Sequence, residues 1–166
     1  MIEKIFPPLV LITTLVSHVN ADETPATLPI QRLNVDLAVI IAQETLTACR
    51  KKGFNIAVTV IDRGGHEQAL LRDTLAMPLT ITVAKHKAYA AMNFNLPTSQ
   101  LEDRFTTPFS PGKIDGLVLS AGGLPIAAGG TILGGVGVSG APSGVIDEEC
   151  AQAGIDAIII DLEMAM

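Results

Sequence analysis

Basic residues are scarce in this chain: 11 lysines and arginines stand against 17 aspartates and glutamates, for a formal net charge of -6. A domain with that balance is a poor partner for phosphate backbones or anionic lipid, which argues against nucleic acid as a ligand. Cysteine is scarcer still, with only Cys49 and Cys150 and no CxxC pair, so a thioredoxin-like redox motif is excluded. Long apolar runs are missing as well. The stretch Leu9 to Val16 falls well short of the ~20 residues that cross a hydrocarbon core. No HExxH pair is present for a zinc hydrolase, and no GxSxG elbow surrounds Ser120, Ser139 or Ser143 for acyl transfer.

What is present begins with a short export grammar. Lys4 precedes the apolar block, and Val19-Asn20-Ala21 offers small residues before Asp22, as a secretory signal and its cleavage point would. The expectation is a signal peptide over residues 1–21 and one mature domain over 22–166, exported to the periplasm or the medium. An oxidising compartment allows Cys49 and Cys150 to pair. The plainer expectation is two small buried residues on helices, because one pair makes no disulfide framework.

Residues 34–52 place Leu37, Ala38, Ile41, Ala42, Thr45, Leu46 and Cys49 at helical spacing, with Asn34 as N-cap and Gly53 as the stop. The β-branched run 55–62, the turn Arg63-Gly64-Gly65 and the extended run 66–72 read as a hairpin. A second helix is expected over 76–92, and a short one over 99–105 with Thr98 as its cap. Glycine pairs then separate Leu117–Ser120, Leu124–Ala128 and Thr131–Ser139, which read as three strands of a meander. A last helix covers 145–163, with Gly154 allowing close packing. Short connections make a five-stranded antiparallel sheet the economical solution, giving an α/β (α+β) domain in profilin-like α/β/α layers. The glycines between and within strands do not fit a GxGxxG turn, which must close a strand and open a helix. They serve turns, or the close approach of a ligand or a second subunit.

Three groups carry possible chemistry. His86, between Lys85 and Lys87, offers an imidazole to a metal or ligand, or is a solvated histidine. Arg72, Lys85 and Lys87 form a possible basic patch for a carboxylate. Asp62 before Arg-Gly-Gly is expected to take turn amides.

Together, the blocks Ala57 to Gly65, Leu71-Arg72-Asp73, Ala84 to Ala88, Pro97-Thr98, Gly122 to Ile126 and Ile132 to Gly140 resemble the GlcG/HbpS-like family, the haem-degrading domain family. The likeness runs from about Leu33 to Ile158 and keeps every block in order. It implies a profilin-like domain that forms homo-oligomers, often octamers, and in some exported members binds haem or iron and takes part in haem degradation or redox sensing. Without CxxCH any haem would be held non-covalently. Ligation in the family includes a threonine, which carries over to Thr98. His86 departs from the family, where an acidic or polar residue is usual, and it would add an iron ligand. Lys85, Arg72 and the single tyrosine, Tyr89, are the further candidate contacts. The resulting expectation is an exported haem-binding protein that sequesters, carries or degrades haem. The alternatives are a non-haem module for a small carboxylate such as a hydroxy acid, anchored by Arg72, Lys85 and Lys87, and a structural oligomer that regulates a partner.

Overall fold

The structure, a computed structural model, describes residues 25–105, 107 and 111–165. The expected signal over 1–21 lies outside the described residues. Helix α1, Val35–Lys51, starts where Asn34 caps it, its Oδ1 accepting the Asp36 amide at 3.1 Å. Strands β1 (Ala57–Asp62) and β2 (Glu67–Arg72) form the expected hairpin, and helix α2 spans Leu79–Phe94. Strands β3 (Gly123–Ala128) and β4 (Thr131–Ser139) form a second hairpin, turned by Gly129 and Gly130 at φ +54° and +77°. Helices α3 (Gly144–Asp156) and α4 (Ile159–Met164) close the chain. No helix among the described residues is long and apolar enough to cross a membrane.

The sheet has four antiparallel strands in the order β2-β1-β4-β3, one fewer than expected. Residues 117–120 pair with no strand. Side chains take the amides that follow them: Glu102 accepts from Ala121 at 2.7 Å and Glu148 from Gly122 at 3.2 Å, so the segment ends on carboxylates instead of a ladder. Two further boundaries moved. Helix α2 begins at Leu79 because Pro78 disfavours helical geometry at Met77, and it runs on to Phe94, where Asn95 stops it in the left-handed region at φ +51°. The last helix breaks at residues 157–158, where Ile158 is 1% exposed and turns into the core. In place of the short helix over 99–105 there is a 3₁₀ turn at Thr98–Gln100 capped by Pro97, while Thr98 faces inward.

Strand alternation sorts the two faces of the sheet. Val58, Val60, Leu124, Ile126, Val136 and Val138 point to one side and pack against Ala38, Ile41 and Ala42 of α1 and Cys150, Ala151 and Ile155 of α3. The opposite side carries Gly123, Gly135 and Gly137, and there α2 lies almost on the backbone. A Cβ at Gly135 would stand 2.6 Å from the Ala88 carbonyl oxygen, one at Gly123 2.5 Å from that of Lys87, and one at Gly137 would overlap that of Ala84. The close approach expected at these glycines is made by the protein's own helix. The layers are therefore α/β/α, with α2 alone on one face and α1 and α3 on the other.

Between α1 and α3, Gly154 sits where a Cβ would reach 2.6 Å from the Ile41 carbonyl oxygen, so the two helices touch closely as the sequence indicated. The cysteines meet at this contact. Cys49 and Cys150 are both fully buried and joined in a disulfide with Cα atoms 5.5 Å apart, which corrects the expectation of two separate thiols.

Candidate functional site

Because α2 presses Ala84 and Ala88 onto the glycine face, the residues between them are turned sideways. Lys85, His86 and Tyr89 all line one open cavity of about 300 Å³, closed by Gly65 of the β1–β2 turn and by Asp115 and Gly116. His86 is half-buried, and its ring makes no hydrogen bond or ion pair among the described residues. Lys85 Nζ lies 3.3 Å from Glu67 Oε2 with nearly half of its side chain exposed. The Tyr89 ring leans on the turn: a Cβ at Gly65, whose φ is +81°, would come within 2.8 Å of its Cε2. Glycine there serves both the turn and the ring's clearance. On its other side Tyr89 bounds a second, apolar cavity of about 240 Å³ with Phe94, Ile114 and Leu117. Phe94 is itself backed by Phe105, with ring centroids 5.1 Å apart.

The other candidates lie elsewhere. Thr98 is fully buried; its hydroxyl accepts the Gly123 amide at 2.8 Å and donates toward Glu148 Oε1 at 3.3 Å. Arg72 uses its guanidinium on the carbonyls of Asp73 (3.0 Å), Thr74 (3.3 Å) and Ala76, clipping the loop ahead of α2. It borders a separate polar cavity beside Arg50. Lys87 is buried, with Nζ 3.0 Å from the Val138 carbonyl and 3.2 Å from Asp147 Oδ2. The basic patch of Arg72, Lys85 and Lys87 therefore does not form. Arg72 is spent on backbone, and Lys87 already has a carboxylate of its own.

Two aspartates have shifted titration. Burial pushes the Asp147 carboxyl up, opposed only in part by Lys87 and by the Ala141 and Gly140 amides. Burial would also raise Asp62, but the amides of His66 and Gly64, the Arg32 guanidinium and the His66 ring together hold it below the ordinary aspartate value. Asp62 takes turn amides as expected, at 2.7 Å from Gly64 and 3.0 Å from His66. Sequence reasoning missed Asp115 and Gly116, which belong to a loop with no motif. It also missed Asp147, which reads locally as a favourable first-turn acid of α3.

A family model described as haem degrading protein, HbpS-like, matches residues 33–156. The chain belongs to the HbpS-like family. A crystal structure of HbpS is similar to this HbpS-like chain at 34% identity and a TM-score of 0.77, covering 80% of this chain and 94% of that one. A double mutant of Streptomyces reticuli HbpS also matches at 34% identity, with a TM-score of 0.74 over 81% and 99% of the two chains. The fold extends to a PduOC:heme complex, at 23% identity and a TM-score of 0.69 over 76% and 95%. No curated protein matches the chain.

Haem makes three demands of a cavity such as the one beside α2. A porphyrin presents apolar faces, two carboxylates and an iron that takes nitrogen or oxygen ligands. The His86 imidazole, unengaged among the described residues, and the apolar recess behind Tyr89 match two of those demands, and the half-exposed Lys85 ammonium meets the third by exchanging its Glu67 partner for a propionate. The residues fit the group.

Proposed function

We propose that this HbpS-like chain is an exported haem-binding protein that holds haem non-covalently beside α2. The observation that carries the reading is His86, half-buried and without a partner among the described residues, in one cavity with Lys85 and Tyr89. The haem complex of the related fold and the family's description support it. In this assignment His86 would hold the haem iron through its imidazole. Thr98, whose hydroxyl is engaged on Gly123 and Glu148, acts as a structural clamp. Lys85 would exchange Glu67 for a propionate, and Tyr89 and Phe94 would offer apolar surface to the porphyrin. Bound haem would supply the redox chemistry, including its own oxidative breakdown, while the protein sets ligation, access and polarity. Export is supported by the signal grammar of residues 1–21 and by the buried Cys49–Cys150 disulfide, which persists in oxidising compartments. A homo-oligomer, in keeping with the family resemblance, is part of the same proposal.

Hemin titration tests it. A saturable Soret shift is expected, lost in His86→Ala and retained in Thr98→Ser, whereas a spectrum identical to free hemin would end the haem reading. Decay of the Soret band with ascorbate, accompanied by iron release, separates degradation from storage. Light scattering on the eluting peak gives the assembly, and a monomer at micromolar concentration would refute that part.

A further inference from the structure

The β1–β2 turn is wedged between Asp62 and Tyr89. Asp62 is only 6% exposed, and its two carboxylate oxygens have different tasks. Oδ1 gathers the turn: it accepts the Gly64 and His66 amides and lies 3.3 Å from His66 Nδ1. Oδ2 accepts from Arg32 at 3.1 Å. Two backbone bonds close the turn, from the Asp62 amide to the His66 carbonyl and from the Gly65 amide to the Asp62 carbonyl, both 2.9 Å.

On its other side the turn has no side chain to cushion it. The bare Gly65 backbone lies against the Tyr89 ring, and Met92 comes next, with Cε 3.9 Å from the same Cβ position. Gly64 is equally tight, since a Cβ there would stand 2.7 Å from His66 Nδ1 and 3.1 Å from Asp62 Oδ1. Nothing soft therefore separates the Asp62 carboxylate from the ring. Ile61 and Gly65 line the α2 cavity with Tyr89, while Asp62 does not.

We propose that Asp62 is a positioning residue for the α2 cavity: its Oδ1 fixes the Gly64-Gly65 turn and, through Gly65, the placement of the Tyr89 ring. The effect on haem rests on the reading above; the coupling of turn to ring does not. Arg32 steadies the oxygen that the turn leaves unused, so its pair with Asp62 is accessory.

The chain has one tyrosine and no tryptophan, so the ultraviolet emission of the haem-free protein comes from Tyr89, and acrylamide quenching reads how well the ring is covered. Asp62→Ala raises the quenching constant and, because only the fraction of molecules with an ordered turn is competent, weakens hemin binding about tenfold. Asp62→Asn keeps an acceptor for both amides and stays within about twofold of the parent in both readings, as does Arg32→Ala. A merely structural role would lower the Tm of Asp62→Ala without moving the tyrosine signal. Gly65→Asn, which tolerates the positive φ but presses on the ring, shifts the quenching with Asp62 in place and serves where Asp62→Ala does not fold. Parent-like quenching in the folded variant overturns the proposal, as does Asp62→Asn behaving like Asp62→Ala, or raised quenching with hemin affinity unchanged. If the parent itself gives no Soret shift, the haem reading fails and the quenching still decides the coupling of turn to ring.

Discussion

Breaking the Cys49–Cys150 bond should cost this domain a large part of its stability. The bond ties α1 to α3 across 101 residues of sequence, so it restrains nearly the whole unfolded chain. The chain-entropy relation gives about 4.7 kcal/mol for a loop of that size at 25 °C. The Cα separation of 5.5 Å is ordinary for a disulfide, and the helices already touch at Gly154, so native strain subtracts little. Against a total of about 5–15 kcal/mol for a typical domain, a loss of about 3–5 kcal/mol leaves the reduced form marginal and lowers its Tm by roughly 10–20 °C. Urea unfolding of the oxidised protein, the reduced protein and Cys49→Ala/Cys150→Ala measures this directly. The reduced form keeps both sulfurs in the core, so its difference from the double variant isolates the packing of those two atoms. A steeper urea dependence is also expected once the cross-link is gone, since the unfolded chain then exposes more surface. A difference below about 1 kcal/mol between oxidised and reduced protein, or two thiols titrating in unreduced denatured protein, would refute the reasoning.

Gly137→Ala places a methyl group on the Ala84 carbonyl and should cost about 3 kcal/mol or more, seen as a lowered urea midpoint; Gly130→Asn, in open space at the hairpin turn, should fold normally. Lys87→Met strands the Asp147 carboxylate and should cost about 3–5 kcal/mol at neutral pH. The sign with pH follows from the raised Asp147 value: between its unfolded and folded values the native state holds more protons, so this group's contribution to stability falls as pH rises through that window. Lys87→Met should steepen that fall and recover part of its loss on acidification, as followed by thermal melts across pH; Lys87→Met/Asp147→Leu should remove the dependence.

Much of the fold was legible because its signals are local. The Asn34 cap, the Gly64-Gly65 and Gly129-Gly130 turns and the β-branched run of β1 each specify their element within a few residues. The fifth strand failed for a different reason: residues 117–120 have a strand's composition, but Glu102 and Glu148, distant in sequence, take the amides that follow. The disulfide and the Lys87–Asp147 pair were illegible in the same way, since partners 101 and 60 residues apart leave no mark in spacing. Of the candidate site, Lys85, His86 and Tyr89 came together because one helix face carries all three. Arg72 and Thr98, chosen by residue type and family likeness, were already engaged by carbonyls and by an internal amide.

The glycine face under α2 also divides the helix into positions that are free to change and positions that are not. Ala84 and Ala88 are keyed into the sheet so closely that α2 can neither roll nor slide without a collision. Its lateral residues meet a turn and a surface carboxylate rather than sheet backbone, so substitutions at 85, 86 and 89 can alter what the cavity accepts while the scaffold stays in register. The glycine face thus acts as an alignment pin, and the cavity lining can be retuned on one side of a helix whose other side is keyed to the sheet.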